Sequence, residues 1–155
     1  NAAASSDYLE SRLNAAQGPV GTRDYRIRVE AVPIDGGKTF MHLSYAYGYG
    51  TAGKIAMGAY LSTAGASKVG FSQTDGQPTT GVRGAIERNA MRYYLAIDAY
   101  LDSLSAPEAQ RVDKRINSWF SATERYPKQL HEMDRSTYLA MKQREYARQQ
   151  ELAAQ

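Results

Sequence analysis

The chain of 155 residues contains no cysteine and only two histidines, His42 and His131. The absence of cysteine excludes a disulfide scaffold, a thiolate-bound zinc ion, an iron–sulfur cluster and a thiol nucleophile. Two histidines are also too few for a three-histidine metal site. We therefore expect no metal and no cofactor, and a chain of this length can form an apolar core without them.

Long apolar runs and blocks of like charge are also absent. No apolar run approaches the roughly 18 residues that a transmembrane helix requires, so we expect no transmembrane segment. Residues 1–80 carry seven Lys/Arg against six Asp/Glu, and residues 81–155 carry twelve against ten, which gives the formal net charge of +3. Because these basic residues are not clustered, we expect no nucleic-acid partner.

The first six residues, Asn1-Ala2-Ala3-Ala4-Ser5-Ser6, are small or polar. A start of this kind is typical of a chain from which a signal peptide has been removed. It predicts an exported protein, periplasmic or secreted. The alternative is an N-terminus that was trimmed for another reason.

In the first half of the chain, the spacing of the apolar residues changes at Thr22. Before that point, Leu9, Leu13 and Ala16 follow Asp7 at helical spacing and predict a short N-terminal helix that ends at Gly18-Pro19. After it, apolar and charged residues alternate over residues 22–32, which predicts a half-buried strand.

Glycines divide the next part of the chain. Turn residues at 33–37 predict a hairpin that joins the strand to a second one over residues 38–49. The apolar pieces 55–61 and 69–71 are predicted as further strands, with a helix over 54–63 as the alternative. Residues 72–80 are predicted as a loop. Residues 20–75 are thus predicted to be mainly strands.

The apolar period becomes 3.6 residues after residue 80, which predicts helices over residues 80–150. A long first helix starts near Thr80, with its apolar stripe at Val82, Ile86, Ala90, Tyr93, Ile97, Tyr100, Leu101 and Leu104. Ser105 to Glu108 forms a predicted capping box for the second helix, and Asp134 caps the third. Residues 148–155 are expected to fray. The order predicts an α+β fold in a single domain of residues 1–155, with an antiparallel sheet packed against about three helices.

Tyrosine dominates the aromatic residues, with twelve against three phenylalanines and one tryptophan. Tyr45, Tyr47 and Tyr49 alternate with small residues in a predicted strand, so their side chains share one face. Phenol rings suit a protein partner or a sugar ring, although the same row can instead pack under the helices. Arg26 and Arg28 form a small cationic patch on the neighbouring strand, and we group them with the three tyrosines as a candidate binding face.

The candidate catalytic residues lie in the helical half. Glu124, His131 and Asp134 can converge at the junction of two helices, and a Glu–His pair can act as a general acid and base. Glu87 is a further candidate for the acid if it is buried. In the simpler interpretation Asp134 is a helix cap, Glu124 and Glu87 form surface ion pairs, and His131 lies in a loop.

The segment Gly48–Lys54 matches the spacing of a phosphate-binding loop, but Ile55 stands where Ser or Thr would hold magnesium. A glycine-rich bend of the sheet is the alternative interpretation.

Taken together, the patterns favour a non-enzymatic exported binding module, such as an inhibitor, an immunity-type protein or an accessory protein. Its partner would be a protein or a glycan of the cell envelope. The alternative is a small cell-envelope hydrolase that uses the carboxylate–histidine pair.

Overall fold

The computed structural model describes residues 1–18 and 21–154, which form an α+β fold. An antiparallel sheet occupies the first part of the chain, and helices make up most of the second. The strands are β1 (Ala2–Ala4), β2 (Leu9–Gln17), β3 (Thr22–Ile34), β4 (Lys38–Tyr49), β5 (Gln73–Thr74) and β6 (Gln77–Pro78). The helices are α1 (Thr51–Ser62), α2 (Gly81–Ser103), α3 (Arg111–Thr123), α4 (Pro127–Leu130) and α5 (Arg135–Ala153), with a 3₁₀ turn at Glu108–Gln110.

The chain divides into two compact units, Asn1–Ala90 and Met91–Gln155, and the boundary falls within α2. The first unit contains the four-stranded sheet, α1, the short β5–β6 hairpin and the first part of α2. The second contains the rest of α2 and the helices α3 to α5. The prediction of one domain over residues 1–155 stays a prediction.

The main sheet is a meander in which β1, β2, β3 and β4 are neighbours in that order, all antiparallel. The predicted hairpin of β3 and β4 is confirmed, with Ile34 opposite Lys38 across the turn. Gly36 and Gly37 adopt φ of 76° and 68° in that turn, a region that glycine enters without steric cost. The register is continuous from the turn back to Arg26.

The predicted N-terminal helix is wrong, because residues 9–17 form strand β2. Leu9 lies opposite Ala31 of β3, and Leu13 lies opposite Ile27. A spacing of four residues fits one face of a strand as well as one face of a helix, so the two leucines did not distinguish the two structures. Pro19, where the predicted helix was to end, lies outside the described residues.

Two of the predicted strands are also absent from the described residues 51–72. Residues 51–62 form helix α1, which agrees with the alternative prediction for this segment, and residues 69–71 are irregular. The predicted loop at 72–80 contains the small β5–β6 hairpin. Its turn holds Asp75 and Gly76 at φ of 52° and 75°.

Helix α2 begins where the sequence predicts, but its buried side is not the predicted stripe. Ala85 and Arg88 are buried in the first unit, and Leu95, Ala99 and Ser103 are buried in the second. By contrast, the predicted stripe positions Tyr93, Tyr100, Leu101 and Leu104 are exposed.

The core of the second unit is aromatic. Tyr138 of α5 stacks on Trp119 and contacts Phe120, with ring centroids 5.1 Å and 5.3 Å apart. The indole of Trp119 donates a hydrogen bond to the carbonyl of Arg92, 3.1 Å away. Leu130 of α4 is also buried in this unit.

The two predicted helix caps have different outcomes. Asp134 is confirmed as the N-cap of α5, because its carboxylate accepts a hydrogen bond from the backbone N–H of Thr137 at 2.9 Å. The capping box at Ser105 does not form, since the Ser105 hydroxyl donates to the carbonyl of Asp102 instead. Helix α5 continues to Ala153, so most of the tail that we expected to fray is helical, and Gln155 lies outside the described residues.

Within the described part of the chain, no helix has both the length and the apolar character that crossing a membrane requires.

Candidate functional site

The main sheet has two chemically different faces, because side chains alternate along each strand. One face, which we call the aromatic face, carries apolar and aromatic residues from β2, β3 and β4. Its members include Leu9, Leu13, Tyr25, Ile27, Val29, Leu43, Tyr45, Tyr47 and Tyr49. The opposite, polar face carries Glu10, Arg12, Asn14, Arg26, Arg28, Glu30, His42 and Ser44.

The tyrosines of the aromatic face contact one another. The ring of Tyr25 stacks on that of Tyr47, with centroids 5.4 Å apart and planes 14° from parallel. Tyr47 also contacts Tyr45 and Tyr49, at 5.5 Å and 6.0 Å between centroids. Partial burial, together with the neighbouring Tyr25 and Tyr49, raises the pKa of the Tyr47 phenol. The four rings therefore form one continuous cluster.

A bulge in β3 lies beside this cluster. The register between β3 and β4 shifts between Arg23 and Arg26, so that Asp24 and Tyr25 both lie opposite Tyr47. Asp24 adopts a φ of 53°, the left-handed region that non-glycine residues rarely enter. The regular register already places Tyr25 opposite Tyr47, and the effect of the bulge is that Thr22, in place of Arg23, lies opposite Tyr49.

The aromatic face is only partly buried. Among the residues that the structure describes, none in β2, β3 or β4 is buried. Leu13 is 58% exposed and Leu9 is 44% exposed, while the four tyrosines are half-buried. Contiguous apolar surface of this kind is uncommon on an isolated protein and is typical of an interaction site.

Arg26 and Arg28 do not share a face with the tyrosines. Arg28 lies opposite Ser44 of β4, and Arg26 lies opposite Ala46. Tyr45 instead lies opposite Ile27, so the arginines point away from the aromatic row. The five residues that the sequence suggested as one binding face thus lie on the two opposite faces of one sheet.

Acidic neighbours bind most of the cationic groups of the polar face. Glu10 pairs with Arg28 at 2.6 Å and with Arg12 at 2.8 Å, and these hydrogen bonds hold the pKa of Glu10 below its usual range. Glu30 accepts a hydrogen bond from the Tyr8 hydroxyl at 2.9 Å and lies 2.9 Å from Arg28. Arg28 is thus held inside a local network, which limits its use for an outside ligand.

Glu87 is engaged by a loop of its own unit. Its carboxylate accepts hydrogen bonds from the backbone N–H of Phe71 at 2.8 Å and of Ser72 at 3.0 Å. The hydroxyls of Ser72 and Thr79 donate at 2.6 Å and 2.9 Å, and Arg83 lies 3.1 Å away. Burial alone would raise the pKa, but these hydrogen bonds, led by those of Ser72, lower the pKa of Glu87 to about 2. An ionised carboxylate with its lone pairs already occupied is a poor general acid.

Glu124 and His131 do meet at the surface of the second unit. Nδ1 of His131 lies 3.0 Å from each carboxylate oxygen of Glu124, and the side chain of His131 is half-exposed. Asp134 does not join them, because its carboxylate caps α5 and binds the hydroxyls of Ser136 and Thr137. A cleft of about 410 Å³ in this unit is lined by residues of α2 and of the stretch from Asn117 to Arg125, and neither Glu124 nor His131 lines it.

The segment Gly48–Lys54 is neither a phosphate-binding loop nor a bend within the sheet. Strand β4 ends at Tyr49 and helix α1 begins at Thr51, so only Gly50 separates them. The backbone N–H of Lys54 already donates to the carbonyl of Gly50, at 3.0 Å. A phosphate-binding loop requires several irregular residues whose free amides surround the anion, and a one-residue connection does not supply them.

Sequence reasoning missed Leu9, Leu13 and Tyr25 as members of the aromatic face, and it missed Arg88. The side chain of Arg88 is 1% exposed, contacts the Tyr60 hydroxyl at 3.2 Å, and has no acceptor for Nε among the described residues. Nothing in the local sequence distinguishes Arg88 from the other arginines of α2. The alternation of the charged residues Glu10 and Arg12 with Leu9 and Leu13 was the one signal that could have revealed the leucines.

No group of histidine and acidic side chains within the described residues is arranged to hold a metal ion. Comparison with protein-family models, with curated protein sequences and with solved structures found no match for this chain. We therefore infer its function from its own residues.

Proposed function

We propose that this chain is a non-enzymatic binding module that binds a partner protein through the aromatic face. The observation that carries the proposal is the exposure of Leu9 and Leu13 on that face, next to a cluster of four half-buried tyrosines. Tyrosine and large aliphatic side chains are the usual centre of protein interfaces.

The ring geometry favours a protein over a glycan. A sugar ring binds by stacking on the flat face of an aromatic ring, but the rings of Tyr25 and Tyr47 already stack on each other. Leu9, Leu13 and Ile27 extend the same face with aliphatic surface that a polar sugar would not bury well. The surface as a whole matches the apolar side chains of another protein.

The test is capture from an extract of the native source by the immobilised wild-type chain and by two variants. Leu13→Glu places a charge on the aromatic face, and Leu152→Glu makes the same change at a leucine of α5 that is 64% exposed. We expect the wild type and Leu152→Glu to retain the same protein, and Leu13→Glu to lose it at least tenfold, because the carboxylate would have to be desolvated at the interface.

Two results would contradict this proposal. In the first, Leu13→Glu retains the protein as well as Leu152→Glu does. In the second, the wild-type chain retains a glycan in place of a protein. Circular dichroism of both variants controls for loss of the fold.

One observation favours a second candidate function, a small hydrolase. Glu124 and His131 contact each other at the surface, and such a pair can exchange a proton with a substrate that binds beside it. In that case the wild-type chain would hydrolyse cell-envelope substrates, and His131→Ala would abolish the activity while leaving capture by the aromatic face unchanged.

A further inference from the structure

The outer edge of β4 is the longest open strand edge in the described part of the chain. Strand β4 is the last strand of the sheet order and pairs on one side with β3. None of the described strands pairs with its other side. An edge of twelve residues leaves a row of backbone N–H and C=O groups available to another strand.

This edge lacks the features that keep edge strands from pairing. Such strands are usually short, bulged, or interrupted by proline or charged residues. β4 contains no proline, and its only formally charged residue is Lys38, at its first position. At the opposite edge of the sheet, the outer strand β1 has only three residues. The contrast makes β4 the edge at which the sheet can grow.

We propose that β4 pairs antiparallel with β4 of a second copy, which joins the two sheets into one sheet of eight strands. This goes beyond the proposed function, because it uses the backbone edge of β4 and does not use the side chains of the aromatic face. Two-fold symmetry is the most common arrangement of identical chains. Under this symmetry each residue of β4 lies opposite one fixed residue of β4 in the other copy.

Two-fold pairing is compatible with the side chains of β4. The residue on the two-fold axis lies opposite the same residue of the other copy, so odd-numbered residues always lie opposite odd-numbered ones. Tyr45 of one copy therefore remains on the same face of the joined sheet as Tyr45 of the other. With the axis at Leu43 or Ser44, in the middle of the strand, Lys38 lies opposite Gly48 or Gly50. No like charges meet in either register.

The size of the contact indicates a weak, reversible dimer. Eleven of the twelve residues of β4 pair in either register, which corresponds to a length of about 37 Å at about 3.4 Å per residue. With a sheet about 10 Å thick, each copy buries about 370 Å², or about 750 Å² in total. Stable complexes bury about 1,200 Å² or more, so we expect association at high micromolar concentrations.

The first test measures the mass of the purified chain by sedimentation equilibrium between about 1 µM and about 1 mM, the range in which such weak contacts form. We expect the average mass to rise from that of a monomer towards that of a dimer. A chain that remains monomeric over this whole range would overturn the proposal.

The second test locates the contact with single cysteines, which react uniquely because the chain has none of its own. Paired residues at a strand axis have Cβ atoms about 4.5–5.5 Å apart, close enough for a disulfide after small adjustments. Under mild oxidation we expect Leu43→Cys or Ser44→Cys to form a disulfide-linked dimer rapidly. The control Asn14→Cys, at an exposed position of β2, should form it at least tenfold more slowly. Equal rates at all three positions would contradict the pairing.

The third test uses a variant that weakens the dimer without removing any contact of the monomer. Ser44→Glu adds a carboxylate opposite Arg28 of the same copy, where it is tolerated. This carboxylate lies directly opposite its counterpart if the axis is at Ser44, and diagonal to it, about 7–8 Å away, if the axis is at Leu43. We expect association at least tenfold weaker, with an unchanged circular dichroism spectrum. Unchanged association would refute the proposed edge contact, and the cysteine series remains decisive if this variant does not fold.

Discussion

Replacing Glu87 by glutamine should destabilise the first unit in a pH-dependent way. Glu87→Gln keeps the shape of the side chain but removes its charge and replaces one acceptor oxygen by an NH₂ group. In one orientation of the glutamine the NH₂ group faces the backbone amides of Phe71 and Ser72. In the other it faces the hydroxyl of Ser72 and the guanidinium of Arg83, so it meets hydrogen-bond donors in both. A buried donor without an acceptor costs about 1–3 kcal/mol.

The pKa of Glu87 gives a second measure of the same effect. Lowering the pKa from 4.5 to about 2 corresponds to about 3 kcal/mol of folding free energy. Because the side chain is 20% exposed, solvent screens part of this interaction, and we expect about 1–2 kcal/mol. The folded-state pKa is the lower one, so this stability is present above about pH 4.5 and is lost as the pH falls towards about 2.

The measurement is hydrogen exchange of the Phe71 and Ser72 amides, together with urea unfolding, in the wild type and in Glu87→Gln. At about pH 7 we expect the variant to lose protection at both amides and about 1–2 kcal/mol of unfolding free energy. The difference should shrink as the pH falls towards about 3. The control is Glu145→Gln, at a surface ion pair of α5, which should change stability by less than about 0.5 kcal/mol. Equal protection of the two amides in wild type and variant would refute the role of Glu87 as a loop anchor.

Two further predictions concern glycine substitutions and a buried phenol. Gly70→Ala should destabilise the first unit, since its Cβ would lie 2.3 Å from a carboxylate oxygen of Glu87 and 3.1 Å from the backbone of Gly84. Gly58→Ala, at a position of α1 with open space around it, should stabilise the same unit by about 0.5–1 kcal/mol. Thermal unfolding of the two variants checks both signs, and a more stable Gly70→Ala would contradict the packing described. Tyr138 should ionise near pH 12, because burial, assisted by Glu145, raises its pKa to about 12. The stability of the wild type should therefore fall as the pH rises from about 10 to about 12, and that of Tyr138→Phe should fall less. Urea unfolding across this pH range measures both. Identical pH profiles would argue against the raised pKa.

The elements that sequence reasoning identified are those whose apolar period is unambiguous. The alternation from Tyr25 to Ala31 excludes a helix, and Gly36 and Gly37 adopt the positive φ of the hairpin turn without steric cost. The cap at Asp134 was predictable because its hydrogen bond is local. The segment from Leu9 to Leu13 was predicted wrongly because the period of its leucines is ambiguous. A spacing of four residues places two side chains on one face of a helix and also on one face of a strand.

The candidate site was harder to predict because it depends on pairing between strands. Tyr45 and Arg28 come from adjacent strands, and only the register decides whether they share a face. The environment of Glu87 is similarly non-local, since the two backbone amides that it binds, of Phe71 and Ser72, lie sixteen and fifteen residues earlier, in an irregular segment. On α2, the buried positions Ala85, Ala99 and Ser103 are small residues, which a search for large apolar side chains overlooks.

The meander order of the sheet has a consequence for how the chain folds. Every strand pairs with its neighbour in sequence, so each pairing closes only a short loop, and the sheet can form early and quickly. During synthesis β4 can therefore complete the sheet before the helices of the second unit have emerged from the ribosome. From that moment the open edge of β4 is available to other nascent chains. The protein is most exposed to misassembly between the completion of the sheet and the emergence of the helices of the second unit.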